Sequence, residues 1–224
     1  MDNPIPALNP AEVRVLGALV EKQLTTADYY PLTLNALVNA CNQLTNREPV
    51  VAFDESTVTR AIEDLREKRL AAQFQGAESR VAKYKHALTD ALLLTPAEVA
   101  LLCVLLLRGP QTIGELRSRA ERMFAFETLA EVGEVLAALA SHQPQALVAK
   151  LPRQPGTKEA RYAHLLGGPI ASAAIEPTVQ AHSASAVASP EAERVDRLET
   201  EVAVLRREVV ELKEQLATFR RQLE

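Results

Sequence analysis

Residues Asp54–His86 read DESTVTRAIEDLREKRLAAQFQGAESRVAKYKH, and the period of their apolar residues changes partway along. Up to Leu65 it is helical. Val58, Ile62 and Leu65 fall at i, i+4 and i+7 with Ala61 beside them, while Arg60, Glu63, Glu67 and Lys68 take the opposite side. Asp54 and Ser56 both suit the N-cap. After Leu70 the period is two: Ala72 and Phe74 alternate with Gln73 and Gln75, Gly76–Ser79 makes a turn, and Ala82, Tyr84 and His86 alternate with Lys83 and Lys85. The spacing predicts a helix followed by a β-hairpin wing.

The stretch has an echo. Lys83-Tyr84-Lys85-His86-Ala87-Leu88 returns as Arg161-Tyr162-Ala163-His164-Leu165-Leu166, and Pro10-Ala11-Glu12-Val13 returns letter for letter as Pro96-Ala97-Glu98-Val99. A shared start and a shared end bracket two units of similar length, so two similar domains are expected, at residues 1–88 and 89–168.

In the first unit a helix should run from Pro10 to about Gln23, with Asn9 as N-cap and Val13, Leu16, Leu19 and Val20 inward. A second should start near Pro31 and bury Leu34, Leu37, Val38 and Cys41. Asn42–Pro49 is a polar loop, and Val50–Phe53 is a short β-prone run. In the second unit Thr95 caps a helix with Val99, Leu102, Leu105 and Leu106 inward, and Gly109-Pro110 stops it. Thr112 caps a short helix through Ile113, Leu116 and Ala120; a third spans Leu129–Ala140; and a wing runs from Leu147 to His164. Three helices and a hairpin is the winged-helix order.

Residues 169–190 are mostly Ala, Ser, Val and Pro without periodicity and read as a flexible linker. Residues 191–224 read as a coiled coil, because Val195, Leu198, Val202, Leu205, Val209, Leu212, Leu216, Phe219 and Leu223 alternate steps of three and four. Valine at successive a positions with leucine at d favours a parallel pair, and so do the flanking charges. In a parallel dimer Arg194 meets Glu199, Glu201 meets Arg206, and Glu208 meets Lys213 of the other strand. A parallel homodimer is therefore expected.

Composition bounds the function. The chain has 224 residues, 47% of them hydrophobic, few aromatics and no Trp, which favours helices over a large sheet. The expected class is mostly α with small β-hairpin wings: tandem winged-helix domains followed by a C-terminal coiled coil. Cys41 and Cys103 lie in apolar helical patterns and read as buried free thiols of a reducing compartment. No basic and apolar leader opens the chain, and Val99–Leu107 is too short to cross a bilayer, so a cytoplasmic protein without a membrane partner is expected. The histidines, His86, His142, His164 and His182, have no His or Cys at metal-ligand spacing, and no nucleophile has a base signalled nearby. With only 8 glycines a phosphate-cradling loop is not expected. Neither enzyme nor metal nor cofactor is expected.

The net charge of −4 does not help a general nucleic-acid binder, so any DNA surface must be local. The winged-helix order puts Ser56, Thr57, Thr59 and Arg60 at base edges and Arg80, Lys83 and Lys85 near phosphates. Glu63, Asp64 and Glu67 on the same helix oppose this, and a solvated charged face is the competing reading. In the second unit the third helix carries Glu127, Glu131 and Glu134 and should stay out of a groove. Its wing, with Lys150, Arg153, Lys158 and Arg161, suits phosphates or an acidic protein surface. A minor candidate is the polar loop, through Asn42, Asn46 and Arg47, against a plain role in turns and capping.

Several runs also resemble a known family: Pro31–Leu37, Ala40–Gln43, Asn46–Pro49, Ser79–Tyr84, Leu105–Thr112 and Leu151–Gly156 are similar to the YceH-like family of uncharacterised bacterial proteins. The motifs cover residues 10–166. The resemblance implies a tandem winged-helix fold and carries no catalytic residues over. The expected function is that of a dimeric winged-helix DNA-binding or transcription-regulatory protein, and the alternative is a winged-helix interaction scaffold that meets a protein partner through its second domain and does not bind DNA.

Overall fold

The computed structural model describes residues 4–74, 81–153 and 159–168. All of them belong to the unit Met1–Ala174. Arg80, Lys158, both hairpin tips and the heptads of Val195–Leu223 lie outside the described residues.

The fold is mostly helical with two small antiparallel sheets. α1 (Pro10–Thr25) starts with a capping box, in which Asn9 accepts the Glu12 amide and Glu12 accepts the Asn9 amide. A 3₁₀ turn (Ala27–Tyr29) leads to β1 (Leu32–Thr33) and to α2 (Leu34–Cys41), which Thr33 caps. α3 (Glu55–Glu67) runs into the hairpin of β2 (Ala71–Phe74) and β3 (Lys83–His86). After the short α4 (Leu88–Leu92), α5 (Pro96–Arg108), α6 (Ile113–Ala120), α7 (Leu129–Ala140), β4 (Val148–Lys150) and β5 (Tyr162–His164) repeat the order of helices and hairpin. Thr95, Thr112 and Thr128 cap the three long helices of this half.

Most of the expected inward stripes are buried: Leu16, Leu19 and Val20 on α1, Leu37 and Cys41 on α2, Val58, Ala61, Ile62 and Leu65 on α3, and Val132, Leu136 and Leu139 on α7. Val13, Leu34 and Val38 are only half-buried, at the edge of the core. α5 is buried from Val99 to Leu107 because it is packed by both halves, with α1 against one side. Gly17 marks that contact. A Cβ there would fall 2.9 Å from Leu107 Cδ2 and 3.1 Å from Leu106 Cβ, and Cys103 Sγ reaches the Gly17 carbonyl at 3.6 Å. One cluster of buried side chains runs from Leu8 to Leu166. Leu8 N–H also donates to the Leu166 carbonyl at 2.7 Å, tying the ends of this unit together.

Two local expectations change, and one short helix is added. The second helix begins at Leu34 and not near Pro31, because Leu32 and Thr33 pair with Tyr84 and Lys83 as β1, giving the order β1-β3-β2. Val50–Phe53 forms no strand, because the Asn42 side chain takes both the amide and the carbonyl of Phe53, at 2.8 Å each. At the boundary between the halves α4 turns Leu88 and Leu92 into the core before Leu93 leaves it at φ 54°.

Candidate nucleic-acid interface

Asp54 decides how α3 presents itself. Its carboxylate accepts the Thr57 amide at 2.8 Å and the Ser56 hydroxyl at 3.0 Å, and these hydrogen bonds, those from Thr57 first, hold its pKa below the usual carboxylate value. With Val58, Ala61, Ile62 and Leu65 committed to the core, Ser56 and Arg60 are left exposed, and Thr57 and Thr59 are half-buried. Glu55, Glu63, Arg66 and Glu67 are exposed on the same helix, so its open surface is mixed in sign and not basic.

The hairpin beside α3 is simpler. Lys83 faces Phe74 and Thr33 across the ladders, and Lys85 faces Ala72. Their neighbours Tyr84 and His86 take the other face, where His86 is 8% exposed. Burial pushes the His86 imidazole down to about 4, and Tyr30 Oη accepts its backbone amide at 2.7 Å. Lys85 is exposed and Lys83 half-exposed, and neither has a carboxylate at salt-bridge distance among the described residues.

The second hairpin differs. Arg161 Nη1 donates to the Pro110 carbonyl at 2.8 Å and to Glu115 at 3.0 Å, so its charge is already met. Lys150 Nζ lies 5.9 Å from the centre of the Tyr162 ring, and Arg153 is exposed. Glu134 on α7 is exposed, and so is Glu127, which stands before the Thr128 cap and not on the helix; Glu131 accepts the Glu127 amide at 2.9 Å. No lysine or arginine occurs from Glu127 to Ala149. The helix that corresponds to α3 is acidic.

The polar loop splits by role. Asn42 is spent on Phe53. Arg47, 6% exposed, chelates Glu21 at 2.6 and 3.0 Å and donates to the carbonyls of Ala40 and Asn46 and to Gln43 Oε1. With Arg14, which reaches the carbonyls of Cys41 and Pro49 at 3.2 and 2.5 Å, it caps the end of α2. These two arginines join α1, α2 and the loop, which favours the capping role. Asn46, at φ 61°, is exposed and accepts from Arg108.

That contact leads to a cluster that linear reading did not bring together. Lys22, Arg108, Arg119 and Arg122 line one cleft, although they come from three helices and a turn. Lys22 and Arg108 each sit in the last turn of a helix, where a cation needs no explanation beyond the helix dipole, so the only signal was their common position in the repeat. Among the described residues no group of three or more His, Cys, Asp or Glu could hold a metal, and no helix is long and apolar enough to cross a membrane.

Residues 8–157 match a family described as a protein of unknown function, DUF480. The chain is 56% identical to a UPF0502 protein of Opitutus terrae over 92% of this chain and 86% of that one. It is 53% identical to a UPF0502 protein of Geobacter sulfurreducens, over 97% and 98% of the two chains. With a UPF0502 protein of an Azoarcus species the identity is 50%, over 97% and 94%.

Proposed function

We propose the following reading for this chain, which belongs to the DUF480 (UPF0502) family of bacterial proteins of unknown function: it is a tandem winged-helix protein that binds DNA through its first half and acts in transcriptional regulation. The tandem reading is supported by a repeated bridge. Leu32 pairs with Tyr84 just before Thr33 caps α2, and Gln111 pairs with Tyr162 just before Thr112 caps α6. Each half thus places a β residue, a capping threonine and a helix in the same order against its hairpin.

One observation carries the DNA reading. Lys83 and Lys85 stand on the outer face of β3 without carboxylate partners among the described residues, in a hairpin packed beside the helix that presents Ser56 and Arg60. Unpaired hairpin cations contact phosphates while the third helix meets base edges. Dimerisation is assigned to the heptads of residues 195–223, which would set two first halves on neighbouring half-sites.

The test is fluorescence anisotropy of the full-length protein on mixed genomic duplexes across a salt series, with Arg80, Lys83 and Lys85 changed together to Glu as control. Binding that weakens steeply with salt and is lost in the control supports phosphate contact. Absence of binding at low salt to every fragment overturns it. The scaffold reading is favoured by a different observation, the acidic surface of α7 and the pairing of Arg161 with Glu115. Co-purification of a protein partner with wild type, lost on reversal of Glu127 and Glu134 to Lys, supports that role for the second half.

A further inference from the structure

A cleft of about 540 Å³ lies where the C-terminal ends of α1 and α5 meet the polar loop and the end of α6. Four cations line it, Lys22, Arg108, Arg119 and Arg122, against two carboxylates, Glu21 and Glu121. Glu21 is already chelated by Arg47 at 2.6 and 3.0 Å. Lys22 approaches Glu21, and Arg119 approaches Glu115, only to 3.8 Å. Arg108 and Arg122 have no carboxylate at salt-bridge distance among the described residues. Burial first, then Arg119, lowers the pKa of Arg108 below the ordinary arginine value, with Glu48 and Glu21 acting the other way.

The neutral lining suits an anion. The carbonyl ends of α1 and α5 would repel one, but Thr25 Oγ1 donates to the Glu21 carbonyl at 2.8 Å, Thr26 Oγ1 to that of Lys22 at 3.0 Å, and Gln111 Nε2 to that of Arg108 at 3.0 Å. Gln43 and Asn46 use their amide oxygens on Arg47 and Arg108, which leaves their NH₂ groups as donors at the cleft. Val104, Leu107 and Met123 give it an apolar part. The repeat contributes twice, because Lys22 and Arg108 are related by the same sequence offset as Pro10 and Pro96.

We propose that this cleft is a binding site for a small phosphorylated metabolite, its phosphate held by Arg108, Arg119 and Arg122 with Lys22, and its apolar portion set against Val104, Leu107 and Met123. Guanidinium forks match phosphate oxygens, and the volume is that of a small-molecule site. This binding is independent of DNA contact through the first hairpin.

Isothermal titration of the full-length protein at fixed ionic strength tests it, with pyrophosphate, AMP and citrate as probes on wild type, Arg108→Gln and Arg122→Gln. Arg122 is exposed and holds no partner among the described residues, so its variant keeps the fold. The expected result is saturable binding of AMP or pyrophosphate, weakened about tenfold or more in each variant, with citrate weaker than pyrophosphate. Four outcomes overturn it: no saturable binding of either phosphate probe, unchanged affinity in both variants, citrate as tight as pyrophosphate, or displacement of the phosphate probe by duplex DNA whose own binding is lost in the same variants. The last would assign the cations to a nucleic-acid backbone.

Discussion

The two halves of the described unit share an order of elements and differ in what their charges do. In the first, arginines are spent inside, with Arg47 on Glu21 and Arg14 on the end of α2, while the hairpin lysines have no carboxylate at salt-bridge distance among the described residues. In the second, Arg161 is spent on Glu115, and exposed acids stand before and on α7, at Glu127 and Glu134. The apolar stripes that define the repeat are thus separate from the polar residues that distinguish its copies, which is why one scaffold can serve two surfaces.

Removing the internal arginine strikes the comparison hardest. Arg47→Ala should cost about 3–5 kcal/mol in urea unfolding, since it strands a largely buried Glu21 and several carbonyls. A loss below about 1 kcal/mol would mean that the strap is dispensable. The next test probes what the halves share. His86 and His164 occupy matching places in the echo, and burial pushes both imidazoles down to about 4. A folded pKa below the unfolded value of about 6.5 means that the unfolded chain binds the proton first. Stability is therefore full above about pH 6.5, falls as the pH drops toward 4, and loses no more from these groups below that. The urea midpoint should follow that curve, and His86→Leu with His164→Leu should flatten it; an unchanged slope would assign the loss to other groups.

A charge test sharpens the difference. Lys83→Glu with Lys85→Glu should lower affinity for duplex DNA about a hundredfold at low salt, whereas Lys150→Glu with Arg153→Glu should leave it within about twofold. Equal losses would make both hairpins phosphate contacts. The smallest effect concerns the matching caps. Thr112→Ala should cost about 1 kcal/mol, because the Glu115 amide loses its Thr112 Oγ1 acceptor at 3.2 Å, while the bond from the Thr112 backbone amide to Glu115 stays. Thr33→Ala loses the matching 3.3 Å bond at a more exposed cap and should cost less by thermal unfolding.

Much of this was legible in order along the chain. Asn9, Asp54, Thr95 and Thr112 cap where their spacing to the apolar stripe requires it, and α7 spans the Leu129–Ala140 expected for it. The candidate residues were legible as types but not in their engagement. Nothing local in Arg161 or Arg47 tells that the first is paired with a glutamate 46 positions away and the second with one 26 positions away. Nor does a β-prone run such as Val50–Phe53 reveal that a side chain will take the bonds a neighbouring strand would need.

By itself the sequence determined the long helices, their caps and the existence of a repeat, because each follows from contacts within a few residues and from apolar periodicity. It did not determine the faces of the hairpins, since Phe74 stands exposed on the side of Lys83 and Ala71 is the buried residue of β2. Only tertiary structure decided that α1 and α5 share a close crossing at Gly17, that Leu32 and Gln111 become strand partners, and that Lys22, Arg108, Arg119 and Arg122 line one cleft. The physical reason is range: periodicity sets which side of an element is buried, while the partner that covers it, and the charges gathered at its edge, depend on segments far away in the chain.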